Sequence, residues 1–162
     1  MKKLLLAVIV SLSTISTATL AEIKVGIILG FTGPIETLTP AMRDSAKLAF
    51  AEVSASGALL GGETIKPLIG DSTCVDSDAA VAAAEMLVND GVVAIMGADC
   101  SGVTGAIATN VAVPNGVTMV SPSATSPGLT SLADNGLFFR TAPSDAKGGQ
   151  VLAQVALDRG LS

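Results

Sequence analysis

What narrows this chain most is an alternation. Short apolar runs rich in β-branched residues are separated by segments whose apolar residues recur at the helical period. The runs are Ile23–Leu29, Ile65–Ile69, Val92–Met96, Val117–Val120 and Leu137–Arg140. Between them helical periodicity covers residues 39–56, 76–90 and 101–113, and a last helix is predicted from about Ser144 to Arg159. Continuous apolar stretches such as Ile27-Ile28-Leu29 and Val92–Met96 suit strands covered on both faces, and strands that alternate with helices imply parallel pairing. The predicted fold class is α/β, a doubly wound, mainly parallel sheet of the flavodoxin-like kind.

The helix ends support this reading. Thr39-Pro40 is expected to supply an N-cap and a first-turn proline, with Met42, Ala46, Ala49, Phe50 and Val53 on one face and Gly57 as the stop. The second helix is expected to start at Asp76 or Ser77, to bury Ala80, Ala84, Leu87 and Val88, and to stop at Asn89-Asp90-Gly91. After the last helix, ending Asp158-Arg159-Gly160, the alternation calls for another strand that does not follow. The chain is therefore expected to be truncated, with residues 22–162 forming one lobe.

Residues 1–21 read as an export signal. Lys2 and Lys3 precede an apolar run from Leu4 to Val10, a Ser/Thr-rich stretch follows, and the small residues Thr19 and Ala21 precede Glu22. A membrane anchor needs about 20 apolar residues, and here Ser11, Ser13, Thr14, Ser16 and Thr17 interrupt the run early. No cysteine follows the run to carry a lipid, so a soluble product in the periplasm is expected. Cleavage after Ala21 removes Lys2 and Lys3 and leaves the mature chain more acidic than the formal −5 of the whole.

Composition limits the chemistry. With 49% hydrophobic and 14% charged residues the chain is globular rather than disordered. It contains no His, Trp or Tyr, which removes imidazole acid–base catalysis, His-bound metals and most of the stacking surface that single-stranded nucleic acid needs. No basic cluster occurs beyond Lys2-Lys3, so nucleic acid is not an expected partner. No metal or cofactor site is expected either. In an oxidising compartment the two cysteines, Cys74 and Cys100, form the natural disulfide pair, worth roughly 3–4 kcal/mol in the chain-entropy model. The alternative, a reactive thiol at Cys100, lacks a nearby His, Lys or Arg to activate it.

In an open parallel sheet, ligands sit beyond the carboxyl ends of the strands. That selects residues 30–37, 97–102 and 121–127, all rich in small and hydroxyl residues. Ser101 lies where a helix begins, and its hydroxyl and the neighbouring amides suit a carboxylate. The competing reading makes Ser101 and Thr125 ordinary caps or turn residues.

In these residues the chain resembles the periplasmic receptors of branched-chain amino-acid transport, which have the type I periplasmic binding-protein fold. The resemblance runs along roughly 22–160. It is carried by Ile27–Pro34, Gly57-Ala58-Leu59-Leu60-Gly61-Gly62, Asp71-Ser72-Thr73-Cys74, Val88-Asn89-Asp90-Gly91, Gly97–Ser101, Ser121–Pro127 and Phe138-Phe139-Arg140-Thr141. It implies a two-lobed clamp, a monomer when full length, that holds an amino acid, an amide or a related small carboxylate and delivers it to an ABC permease in the inner membrane. The same resemblance places ligand contacts on Ser101 and on the turn Ser123, Ala124 and Thr125, and a disulfide on Cys74 and Cys100. The family's ammonium-binding carboxylate belongs to the second lobe. Where such receptors often carry a pocket-lining aromatic residue after the Gly-Pro turn, this chain reads Ile35-Glu36-Thr37-Leu38-Thr39. Glu36 is therefore a candidate contact for a polar or cationic ligand, or else a solvated loop carboxylate.

Two other classes compete. A ligand-sensing domain of a receptor or regulator would use the same fold. A serine β-lactamase or penicillin-binding enzyme is suggested by Ser144-Asp145-Ala146-Lys147, an S-x-x-K match, but its companion motifs S-D-N and K-T-G are absent, and Ser144 after Pro143 makes a good helix cap. No catalytic residue is assigned.

Overall fold

A computed structural model describes residues 21–161, so residues 1–20 of the expected export signal lie outside the described residues. Five parallel strands form one sheet in the order β2-β1-β3-β4-β5. They are β1 (Glu22–Leu29), β2 (Thr64–Asp71), β3 (Ala94–Gly97), β4 (Thr118–Ser121) and β5 (Phe138–Arg140). The helices that connect or follow them are α1 (Thr39–Ser56), α2 (Ser77–Asn89), α3 (Ser101–Ile107) and α4 (Asp145–Asp158). The flavodoxin-like order expected from the alternation is therefore present.

The strand periodicity divides the residues cleanly between two faces. Register pairs Gly26 with Ile95 and Ile28 with Gly97, and Ile95 with Met119 in turn, which puts Ile28, Ile95, Met119 and Phe138 on one face. Against that face α2 lays Ala80, Ala84 and Leu87, and α3 lays Val103 and Ile107. The alanines let α2 and α3 approach each other and the sheet closely. Each large side chain fully buried there contributes roughly 1.5–3 kcal/mol. Asp76 caps α2, its carboxylate accepting from the amides of Asp78 and Ala79, as the sequence predicts.

The opposite face is covered unevenly. Ile27 and Leu29 are fully buried on the side of α1. Further along the sheet Ala94, Met96, Thr118 and Val120 are only partly buried and Phe139 is 54% exposed. A cavity of about 300 Å³ opens there, bordered by Val25, Phe50, Ala94, Met96 and Val120.

Three sequence expectations need correction. Thr39 is not the cap of α1. Leu38 occupies that place without a side-chain cap, while the buried Thr39 hydroxyl turns inward to donate to the carbonyls of Gly30 and Glu36. The expected buried stripe of α1 is thinner than its periodicity implies, because the helix lies over β2 and β1, leaving Ala49 and Val53 exposed. The helix predicted over 101–113 is α-helical only to Ile107 and then widens into a π turn, Ala108–Ala112.

One glycine decides how closely β1 and β3 can approach. Gly97, at the carboxyl end of β3, has φ +135°, and a Cβ there would run into the Ile28 carbonyl. Replacing Gly97 with Ala is expected to cost about 3 kcal/mol or more, read as a lower denaturant midpoint at unchanged m value.

Candidate functional site at the carboxyl edge of the sheet

The chain leaves β1 for β2 on one side and returns past β1 to β3 on the other, so the connections after β1 and β3 diverge at the sheet's carboxyl edge. There the strands end in Leu29-Gly30, Asp71-Ser72, Gly97-Ala98-Asp99 and Ser121. What gathers these ends is Asp99, only 4% exposed. Its Oδ2 accepts from the Gly30 amide at 2.7 Å, and its Oδ1 from the Cys100 amide at 2.9 Å and the Ser72 hydroxyl at 3.3 Å. Its main-chain carbonyl accepts from the Ser123 hydroxyl at 3.0 Å. One residue thus joins the loops after β1, β2, β3 and β4. Beside it the buried Ser121 hydroxyl donates to the Ala98 carbonyl and accepts from the Ala124 amide at 3.0 Å.

The next layer brings together the residues that sequence reasoning selected. Ser101, the first residue of α3, accepts at its Oγ from the amides of Thr125 and Ser126, both at 3.1 Å. Ser123 is exposed, Thr125 half-buried and Ala124 fully buried. Thr125 in turn donates its hydroxyl proton to Asp145 Oδ2 at 2.8 Å and accepts at its carbonyl from the Asp145 amide at 3.0 Å. From behind, the Arg140 guanidinium donates to the carbonyls of Ala124 and Ser126 at 3.3 and 2.7 Å and to the Thr130 hydroxyl. The turn 123–126 is therefore fixed by side chains from β4, β5 and the α3 and α4 starts.

Glu36 is placed differently. It is exposed on the turn after β1, and among the described residues no hydrogen bond or ion pair joins its carboxylate to Ser101 or the 123–125 turn. Its loop meets the others through Gly30 and Asp99. Ser144 serves as the N-cap of α4, accepting from the Ala146 amide at 3.3 Å, while the Lys147 amide donates to the Ser144 carbonyl. The S-x-x-K residues thus open α4. Among the described residues no group of three His, Cys, Asp or Glu could hold a metal ion.

The loops after β2 and β3 are also joined covalently by the Cys74–Cys100 disulfide, with Cα atoms 5.2 Å apart. Thr73 and Cys74 adopt left-handed backbone at φ 56° and 71°, which costs a non-glycine residue roughly 1–2 kcal/mol. Asp71 offsets that cost. Its Oδ1 accepts from the amides of Phe31, Thr32 and Thr73, and its Oδ2 from the Thr32 hydroxyl at 2.7 Å. Partial burial pushes the Asp71 carboxyl up, but these four donors outweigh it and hold the group below its ordinary value.

A cavity of about 460 Å³ lies on the α4 side of this edge, bordered by Thr125, Asp145, Lys147, Val151 and Leu152. Ser101 does not border it. The cavity exists because α4 buries none of its residues, leaving Leu152 and Leu157 exposed.

A parallel α/β lobe whose hydroxyl-bearing loops converge at the switch point is the architecture of a solute-receiving lobe. The chain belongs to the periplasmic binding protein family, whose model matches residues 22–161. It is 31% identical over 157 residues to the Leu/Ile/Val-binding protein of Citrobacter freundii, covering 97% of this chain and 42% of that protein. Among solved structures it is similar to a leucine-binding protein of Thermotoga maritima, with TM-score 0.71 and 27% identity over 83% of this chain and 36% of that one. It is also similar to a branched-chain amino-acid transporter substrate-binding protein of Streptococcus pneumoniae in complex with isoleucine, with TM-score 0.68 and 30% identity over 76% of this chain and 34% of that one. The chain thus spans about two fifths of the length of the curated relatives it matches.

Two outcomes follow from this geometry. Asp99→Ala strands the Gly30 and Cys100 amides in a buried setting and is expected to lower stability by about 3 kcal/mol, measured by urea unfolding. For Asp71, whose folded carboxyl lies below its unfolded value, the stabilising contribution is full above the unfolded value near pH 4 and is lost as pH falls through the folded one. Asp71→Asn should accordingly flatten the acid limb of a stability-against-pH curve and leave its slope above about pH 6 unchanged.

Proposed function

We propose that residues 22–162 are the ligand-receiving lobe of an extracytoplasmic solute-binding protein serving an ABC transporter, and that an amino acid or related small carboxylate is the solute. The observation that carries this reading is the Ser101 hydroxyl lying 3.1 Å from the Thr125 amide, since it unites two hydroxyl-bearing loops at the carboxyl edge where ligands of such sheets bind. Ser101, Ser123, Ala124 and Thr125 are the proposed contacts, with Glu36 at the rim. The reading is non-enzymatic.

The rest of the cycle follows from the same proposal. Residues 1–21 direct export to the periplasm and are removed. A second lobe beyond residue 162 closes over the solute by a hinge, and the closed monomer is recognised by the membrane permease. Supporting this are the family membership, the share of the relatives' length that the chain spans, and the incompletely covered sheet face. The relatives are named for branched-chain amino acids, which favours such a solute, while the absence of a pocket-lining aromatic residue between Ile35 and Thr39 leaves room for other side chains.

The test is a thermal-shift screen of the two-lobed protein against amino acids, amides and small organic acids, followed by calorimetry. At least one amino acid or small carboxylate should raise the melting temperature in a concentration-dependent manner. Residues 22–162 alone bury only part of a ligand and should show no micromolar binding. Micromolar affinity in that fragment, or no response of the two-lobed protein to any solute of the screen, would sink the proposal.

A further inference from the structure

Two Asn-Gly dipeptides occur in the chain, Asn115-Gly116 and Asn135-Gly136. Asparagine followed by glycine is especially prone to spontaneous ring closure, because glycine has no Cβ to shield its amide nitrogen from the preceding side chain. Both asparagines are exposed, both glycines have positive φ, 68° at Gly116 and 75° at Gly136, and neither glycine is crowded by a neighbour. Sequence and exposure thus give the two sites the same chemistry, and hydrogen bonding separates them.

Asn115 is tied down. Its Nδ2 donates to the Val111 carbonyl at 2.8 Å, and its main-chain amide donates to the same carbonyl at 3.2 Å. The Gly116 amide, the nitrogen that would attack, donates to the Val113 carbonyl at 3.1 Å, and the Val117 amide to the Ala112 carbonyl at 2.8 Å. Asn135 is held differently. At φ 51° it forms with Gly136 the positive-φ pair of a type I′ turn, closed by the Leu137 amide on the Asp134 carbonyl at 2.9 Å. Among the described residues no hydrogen bond holds its side chain, and the Gly136 amide donates to a surface carboxylate, Asp134 Oδ1 at 2.9 Å, rather than to a main-chain carbonyl.

We propose that Asn135 is a site of self-modification, turning into aspartate and isoaspartate in the folded protein, while the fold protects Asn115. The Gly136 nitrogen loses its proton and attacks Asn135 Cγ. The new C–N bond closes a succinimide ring as the carboxamide nitrogen takes up a proton and leaves as ammonia. Water then adds to one of the two ring carbonyls and opens the ring. One opening gives aspartate, and the other reroutes the main chain through Cβ as isoaspartate. Water is consumed, ammonia is released and a negative charge is gained, with no oxidant or reductant. The turn's position gives the change a consequence. The Leu137 carbonyl accepts from the Met119 amide at 2.8 Å where β5 joins β4, and β5 carries Arg140, which holds the Ala124 and Ser126 carbonyls. An extra main-chain carbon between Asp134 and Leu137 spoils the match of turn to strand. None of this depends on the proposed solute or transport role.

The test ages the full-length protein at neutral pH, folded and in parallel in concentrated urea, and weighs chymotryptic peptides to obtain the deamidation rate at each asparagine. In the folded protein Asn135 should react about tenfold faster than Asn115, the factor imposed by hydrogen bonds that must open first. In urea the two rates should converge. Asn135→Gly keeps the positive φ without the carboxamide. Its melting temperature should hold on ageing, whereas that of the wild type falls as isoaspartate accumulates. Equal rates in the folded protein, a faster Asn115 or an unreactive Asn135 would overturn the assignment. So would the same rate ratio persisting in urea, because local sequence rather than the fold would then set it. A melting temperature that falls equally in Asn135→Gly overturns the link to β5.

Discussion

The buried carboxylate of Asp99 is the contact on which the rest of the carboxyl edge depends. Four loops leave a parallel sheet at that edge, and nothing in strand pairing fixes their relative positions once the ladder ends. A side chain that accepts from the loop after β1, from the loop after β2 and from its own following amide, while its carbonyl holds the loop after β4, turns four separate connections into one body. Hydrogen bonds to a charged group are worth about 1.5–3 kcal/mol each, so this small cluster outweighs the backbone cost of the tight turns around it. The Cys74–Cys100 disulfide and the Asp71 carboxylate repeat the device at the neighbouring loops, one covalently and one through four donors.

The two faces of the sheet are covered unequally. On the α2 and α3 side the core is closed, with Ile28, Ile95, Ile107 and Met119 fully buried. On the other side α1 lies over β1 and β2, and no residue of α4 is fully buried. The closed side of this molecule carries Ser101 at the start of α3, and the open side carries α4, whose first residue reaches back to Thr125. The hydrogen bond between Thr125 and Asp145 therefore links the turn after β4 to the start of the exposed helix.

Most of the fold was legible because its signals are local. Strand runs such as Ile23–Leu29 and the caps at Asp76 and Ser144 need only a few neighbouring residues to be read, and the structure puts them where the pattern does. Thr39 misled because its hydroxyl serves a contact nine residues back, at the Gly30 carbonyl, which no local pattern reveals. The thin stripe of α1 has a similar cause, since periodicity says which face is apolar but not how much sheet lies beneath it. Among the candidate residues, Ser101 and Thr125 were legible from their places after strands, and the structure brings them within hydrogen-bond distance. Asp99, Asp71, Ser121 and Arg140 lie within the motifs that carry the resemblance but had no role assigned from sequence. Asp99 and Asp71 each stand at a strand's carboxyl end, which is a usable signal, but the donors they collect come from 27 to 69 residues away as well as next door.

The same accounting bears on the carboxylate contact proposed at Ser101, because the chain is acidic overall. The molecule carries a formal charge of −5, and a carboxylate approaching it at random meets net repulsion. Within residues 97–102 and 121–127 the only charged side chain is Asp99, and it faces inward with both oxygens already occupied by donors. The charge that organises the edge is thus screened by the amides it holds, and what remains outward at Ser101 is a hydroxyl proton. Asp145, by contrast, is exposed and accepts the Thr125 hydroxyl proton.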